Sequence, residues 1–238
     1  MVGEKNYQKE GRRFSILRKL VFFFGGLILI GGFTMGASAL FVARNALMGK
    51  IEEALIMKAK DTAEIVDGRA NALLYFLEGL ARMPILRDPA VSYHEKTVFL
   101  AKEAAFNDDI HNMGLCDMEG RRHTNTGKII DVSDRAYFQL AAQGKHFVEE
   151  PVVSRLDEEL VFVFTVPIYD DNRTVIGVLL ATVKADVLSN QINDITIGKN
   201  GYCSILGSTG TVIAHPDFSF VEQMVNIGEK AKSDNSLH

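Results

Sequence analysis

Hydrophobic positions change their period along this chain, and each change marks an element. Leu20–Ala43 holds no charged residue and lies between Lys19 and Arg44. The run is long enough to cross a bilayer as a helix, which takes about 20 residues. From Arg44 to Leu80 the apolar positions Leu47, Ile51, Leu55, Ala59, Ala63, Val66, Ala70, Leu73, Leu77 and Leu80 recur at helical steps, with no internal proline. This predicts one long amphipathic helix of roughly 55 Å, a stalk. Met83-Pro84 and Asp88-Pro89 end it, because a residue before proline avoids helical geometry. Tyr93–Phe106 reads as a second, short helix.

Strand-like patterns follow. Ile110–Asp117 and Arg121–Asn125 flank a turn at Met118-Glu119-Gly120. Val152–Arg155, Leu160–Pro167 and Thr174–Val183 are separated by Asp157-Glu158-Glu159 and Asp170-Asp171-Asn172. Short charged turns of this kind predict an antiparallel meander. The last two strands are apolar on both faces, as central strands are. Between the second and third strands lies DVSDRAYFQLAAQG, Asp131–Gly144. Ser133 is placed to cap a short helix that opens with Asp134, Arg135, Ala136 and Tyr137, and Gly144 is placed to end it. Asp186–Ile195 reads as a connecting helix. Lys199-Asn200-Gly201 then opens a further unit with strands at Tyr202–Leu206 and Thr211–Ala214, a turn at Ser208-Thr209-Gly210, and His215-Pro216-Asp217 beyond.

Apolar residues make up 47% and charged residues 24%, the balance of a folded protein. Charge is unevenly spread. Lys5, Lys9, Arg12, Arg13, Arg18 and Lys19 precede the apolar run against Glu4 and Glu10, while the whole chain carries −4. A basic tail beside an apolar run is a membrane topology signal, not a nucleic-acid site, and it places the N-terminus in the cytoplasm. Ala37-Ser38-Ala39 also fits a signal-peptidase site, but the apolar run continues through Leu40, Phe41 and Val42, which favours an uncleaved anchor. Either way, everything after Arg44 is exported. Gly32 and Gly36 form a GxxxG pair, a possible dimer seam or simply the glycine common in membrane helices. Cys116 and Cys203 fall on different strands and are read as two small buried residues rather than a disulfide.

Catalytic chemistry finds no support. There is no phosphate-cradling glycine loop, nucleophile elbow or HExxH, and no cofactor is implied. The six histidines lack ligand spacing, so no metal site is expected; the acids of Glu149-Glu150 and Asp157-Glu158-Glu159 read as solvated turns. Binding is better supported. Arg135, a permanent planar cation, lies at a predicted helix start beside Tyr137 and Phe138, a combination suited to a small anion. The competing reading for Arg135 is a salt bridge to Asp131, Asp134, Glu149 or Glu150, with Tyr137 and Phe138 as plain core residues.

DVSDRAYFQLAAQGK, EEPVVSR, LVFVFTVPIYD, VIGVLLATV and GYCSILGSTGTVIAHPD, in that order behind an apolar helix, resemble the double Cache (dCache) sensor family. These are extracytoplasmic ligand-binding domains of bacterial chemoreceptors, sensor kinases and cyclic-dinucleotide enzymes. The resemblance runs from about residue 45 to about residue 217. It implies an α+β fold: an N-terminal transmembrane helix, a long stalk helix, and a PAS-like antiparallel five-stranded sheet module followed by an incomplete second module. The expected division is a cytoplasmic tail over 1–19, a transmembrane helix over 20–43, a stalk over 44–82, a membrane-distal Cache module over 83–195, and the start of a membrane-proximal module over 196–238.

In the amino-acid-sensing branch, the resemblance implies that an arginine and two aromatics hold the ligand carboxylate. Arg135, Tyr137 and Phe138 occupy those positions, with Asp131 beside them. Ile130, Val152 and Thr182 stand where ammonium-binding tyrosines and an aspartate are expected. The expected site is therefore Arg135, Tyr137, Phe138, Val152, Thr182 and Asp131, and the expected ligand a small carboxylate or other anion rather than an amino acid. The expected protein is a non-enzymatic, membrane-anchored sensor, homodimeric through its transmembrane and stalk helices, in the cell membrane and without a nucleic-acid partner. The alternative is an exported structural or partner-binding protein with a vestigial pocket.

Overall fold

The structure, a computed structural model, describes residues 16–193, 195–197 and 201–229. Most of the expected basic tail, the Lys199-Asn200 turn and the polar stretch Lys230–His238 lie outside the described residues. Two compact units divide at Asp61 and Thr62. In the first, the described residues form only helix α1, Ile16–Ala81, which continues into the second unit without a break. Its apolar N-terminal part has a mean hydropathy of 2.0, and it is the one described helix long and apolar enough to cross a membrane. Leu20 to Val42 carry their large side chains exposed, as do Leu47, Ile51 and Leu55 along the expected stripe. Only the C-terminal end of that stripe is used internally: Leu77 and Leu80 are buried, and Leu74, outside the expected stripe, is buried where Leu73 is only partly so.

Helix α1 ends at Ala81, and Pro84 starts the short helix α2, Pro84–Arg87. Helix α3, Tyr93–Ala104, begins with a complete capping box. The Ser92 hydroxyl accepts from the Glu95 N–H, and the Glu95 carboxylate accepts from the Ser92 N–H.

The sheet holds β1 (Asn112–Cys116), β2 (Arg121–His123), β3 (Ile129–Asp131), β4 (Phe147–Val153), β5 (Leu160–Tyr169) and β6 (Val175–Lys184). The five expected strands are present, and β3, a three-residue strand, joins them on one edge. Strand order is β3-β2-β1-β6-β5-β4, every pairing antiparallel. The expected meander therefore holds for β4-β5-β6, but β6 then returns to pair along all of β1. The reason is burial. Leu179 and Leu180, adjacent in β6, are both fully buried, so this strand needs a neighbour on each side and cover on each face.

One face of the sheet carries Met113, Leu115, Phe162, Phe164, Val166, Leu179, Ala181 and Val183, and packs against Leu74, Leu77 and Leu80 of α1 and Leu100 of α3. The other face carries Cys116, Val161, Val163, Val178 and Leu180 beneath helix α4, Ala136–Ala142. Thr165, wholly buried, donates from its hydroxyl toward the Tyr137 and Phe147 carbonyls at 3.2 Å each, pinning α4 to the sheet. Gly144, at φ +88°, ends α4 as expected.

Ser133 does not cap α4. The helix begins at Ala136 with Arg135 in the capping position and no side-chain cap. The Asp131 carboxylate instead accepts from the Ser133 N–H at 2.9 Å, and the Gln139 side chain donates to the Ser133 carbonyl at 3.1 Å. A local aspartate turn has outcompeted the helix start by two residues. After β6 come α5 (Ala185–Asn193), β7 (Thr196–Ile197), β8 (Gly201–Tyr202), the β9–β10 hairpin (Ile205–Leu206 and Val212–Ala214) and α6 (Ser219–Glu222). Val212 and Val221 from this segment join the same core as Leu77 and Leu179.

Candidate functional site

Beneath the β3–α4 connection lies a cavity lined by Arg122, Ile130, Val132, Arg135, Tyr137, Val152, Val153, Ser154, Arg155, Val161, Val163 and Thr182. Four of the six expected site residues are brought together here: Arg135, Tyr137, Val152 and Thr182. The other two are not. Phe138 is buried in the apolar cluster under α4, outside the lining. Asp131 is exposed, its carboxylate engaged with the Ser133 N–H and its carbonyl with Arg155. In this conformation the cavity leaves about 10 Å3 open to the centre of a water molecule, room for roughly one.

Strand register explains the lining. Thr182 sits opposite Asn112 on β1 and Val163 on β5, so all three side chains share the α4 face. The Thr182 hydroxyl donates to the Asn112 carbonyl at 3.3 Å. Strand β4 is bulged between Glu149 and Val152, which returns Val152 to register opposite Val161. Tyr137 is buried, and burial pushes its phenol up to about 12, so it remains a neutral donor across the physiological range.

Arg135 makes none of the ion pairs considered for it. Among the described residues no carboxylate lies within 4.0 Å of its guanidinium. Its Nη2 reaches the Val153 carbonyl at 3.4 Å, and its Nε is buried without a partner. Asp134, the nearest candidate in sequence, is taken by Arg155. That guanidinium donates to both Asp134 oxygens at 2.7 Å and to the Asp131 carbonyl at 2.8 Å. The cover of the cavity is thus clasped to the β4–β5 connection by a bidentate pair, and Arg135 is left facing inward. Glu149 is the nearby acid. Burial and the adjacent Glu150 hold its carboxyl above the usual range, and it does not line the cavity.

Arg122 is the residue that sequence reasoning missed. It is 4% exposed and donates from Nη2 to the Asn112 side-chain oxygen at 2.8 Å, while its Nε has no partner. Burial pushes its guanidinium below its ordinary value. It sits directly opposite Cys116, so it faces α4, whereas His123 beside it turns to the other face and stacks on Tyr93 at 4.0 Å. The period-two alternation of Arg121-Arg122-His123 was the available signal. Room for Arg122 comes from Gly114, where a Cβ would lie 2.8 Å from its Nε. The positive character of the site comes from these guanidinium groups and owes little to the helix start.

A larger cavity of about 670 Å3 lies elsewhere, among Glu78, Arg82, Arg87, His146, Tyr169 and Arg173. Its size does not make it the better site. Arg82 and His146 pair with Glu78, and Arg87 pairs with Asp171, so most of its charge is already matched.

The family model for the Cache domain, of the dCache type, matches residues 43–236. A comparison with curated protein sequences finds no match. Among solved structures, the chain is similar to the ligand-binding domain of the Pseudomonas fluorescens chemoreceptor CtaA in complex with L-leucine. That similarity has a TM-score of 0.63 and 17% identity, over 80% of each chain. It is similar to the ligand-binding domain of the Pseudomonas aeruginosa amino-acid chemoreceptor PctC in complex with GABA, with a TM-score of 0.59 and 20% identity, over 73% of this chain and 78% of that one. The Campylobacter jejuni chemoreceptor Tlp3, in complex with 4-methylisoleucine, matches with a TM-score of 0.55 and 16% identity, over 71% and 70% of the chains. The sheet order, the helix closing over one face and the family match across most of the sequence agree, and the chain belongs to the Cache-domain family, in its double-Cache branch.

Proposed function

We propose that this chain is the extracytoplasmic, ligand-sensing part of a membrane-anchored signal-transduction protein of the chemoreceptor kind, and that its ligand is a small anion, above all a carboxylate. The observation that carries this is Arg135, with a buried, unpartnered Nε at a cavity wall and no acid paired to it. Arg135 as a whole is partly buried, but its buried Nε has no partner, and an anionic ligand at the cavity wall would supply one. The similar chemoreceptor domains were solved with amino acids, which carry an ammonium group as well as a carboxylate. Here Ile130, Val152 and Thr182 offer no charge to an ammonium. An organic acid therefore suits this cavity better than the matching amino acid.

The proposed arrangement has the N-terminus in the cytoplasm, a single span within Leu20–Ala43, and a membrane-distal module over residues 83–195, with residues 196–238 beginning a membrane-proximal one. The Gly32/Gly36 pair and the exposed stripe Leu47, Ile51 and Leu55 support a homodimer through the transmembrane and stalk helices. The protein acts by differential binding. Ligand favours one arrangement of the distal module, and α1 passes it on. No catalytic role is proposed. The small free volume of the cavity favours a second reading, an exported partner-binding protein with a vestigial pocket.

Thermal-shift screening of the detergent-solubilised full chain, organic acids against matching amino acids, separates the two. A shift with acids supports the sensor, and none with any small molecule supports the second reading. In calorimetry, Arg135→Ala should weaken acid binding by about 2–5 kcal/mol, the usual cost of removing one partner of a buried charge pair. Unchanged affinity in a folded Arg135→Ala protein overturns the role given to that arginine.

A further inference from the structure

We infer that the cavity takes a ligand with two acid groups, a short dicarboxylate, and that Arg122 holds the second carboxylate; this rests on the anion-binding reading above. Arg122 enters the cavity from strand β2, on one side of the sheet, and Arg135 from the β3–α4 connection, where it reaches Val153 of β4 on the other. Both guanidinium groups line one cavity, and each has a buried Nε without a partner. A guanidinium offers five N–H donors, and the Asn112 side-chain oxygen takes one from Arg122.

Nothing nearby neutralises Arg122. Among the described residues no carboxylate lies within 4.0 Å of it, and Asp157, whose charge it feels, is bonded to His111 at 2.7 Å. The third arginine on the wall, Arg155, is already matched by both oxygens of Asp134. Ile130, Val161 and Val163 are apolar, and the Thr182 hydroxyl is spent on the Asn112 carbonyl. Two cations therefore remain to be satisfied, while a monocarboxylate has one group to give. Each planar fork matches a carboxylate in a two-bond geometry that an ammonium or hydroxyl cannot reproduce. Gly114 makes this arrangement possible, because any side chain there would occupy the slot through which Arg122 reaches the cavity. The cover must move for such a ligand to enter, since the closed cavity has room for roughly one water.

Calorimetry on the solubilised full chain, comparing succinate with butyrate and malonate with propionate at neutral pH, tests this. The wild type should bind one dicarboxylate about 30-fold or more tighter than its monocarboxylate partner, and Arg122→Gln should erase that advantage. Arg122→Lys, which keeps a charge but not the fork, should retain part of it. The wild-type contrast needs no variant, so it decides the matter even if Arg122→Gln fails to fold. Monocarboxylates that bind as well as dicarboxylates overturn the role of Arg122 and leave the anion reading standing. No binding by either kind of acid overturns both.

Discussion

The Glu150 carboxylate accepts two hydrogen bonds from Ser208, one from the backbone N–H at 2.6 Å and one from the hydroxyl at 2.8 Å. Glu150 lies in the β4 bulge between Glu149 and Val152, and Val152 lines the cavity. Ser208 lies in the turn of the β9–β10 hairpin, which returns through the Gly207 N–H to the Thr211 carbonyl at 2.8 Å. The cavity wall and the segment after α5 are therefore joined by one acid.

Glu150→Ala should loosen that junction by about 1.5–3 kcal/mol at most, the range for hydrogen bonds to a charged group. Hydrogen exchange should show Ser208 and its hairpin losing protection while β5 and β6 keep theirs. Equal loss across the whole sheet would make Glu150 a general stability residue instead.

The Arg155–Asp134 clasp should be sensitive to acid. The hydrogen bond from Arg155 holds the Asp134 carboxyl below its ordinary value. A depressed acid contributes fully while ionised, above the ordinary aspartate range, and its contribution is lost as pH falls through the lower folded value. Asp131 is also depressed, by the Ser133 N–H, and titrates in the same direction. Backbone exchange protection over residues 131–135, taken relative to the intrinsic amide rate at each pH, should fall as pH drops below the usual carboxylate range. In Arg155→Ala it should be low already at neutral pH. A cover that stays equally protected in that variant would show the clasp to be dispensable.

Val152→Tyr combined with Thr182→Asp should move ligand preference back towards amino acids. The new acid faces the cavity, opposite Asn112, and supplies the charge that an ammonium lacks in the natural protein. Calorimetry with matched pairs of organic and amino acids reads the ratio directly. An unchanged ratio would mean that the ammonium does not reach this wall.

Cys116 should be inert in the folded protein. It is fully buried on the α4 face, and burial pushes its thiol up to about 12, leaving almost no thiolate near neutrality. Cys203, half-buried and free, should react first with a thiol reagent, with Cys116 following only on unfolding. Two equally fast thiols would show that the α4 layer opens readily.

Much of the fold was legible because it follows from local rules. The helical step from Leu47 to Leu80, the proline at Pro84 and the charged turns each act over a few residues, and each leaves its own pattern. The doubly apolar runs of β5 and β6 likewise announced central strands. Strand β3 was harder, because three residues in a strand, Ile129–Asp131, are too short to show a period.

The site was legible only in part, and the reason is competition among partners distant in sequence. Ser133 looked like a cap, but Asp131 took its N–H. Arg135 had four nearby acids as candidate partners, and Arg155, reached only through the β4–β5 turn, removed Asp134 from that choice. Arg122 looked like one more charge in a polar strand until pairing with Cys116 placed it on the covered face. The sequence by itself determined the long apolar helix, the strand runs and the family to which they belong, because periodicity and residue type are local properties. Tertiary structure decided which cations are neutralised and which are left facing the cavity, because charge pairing depends on which strands become neighbours.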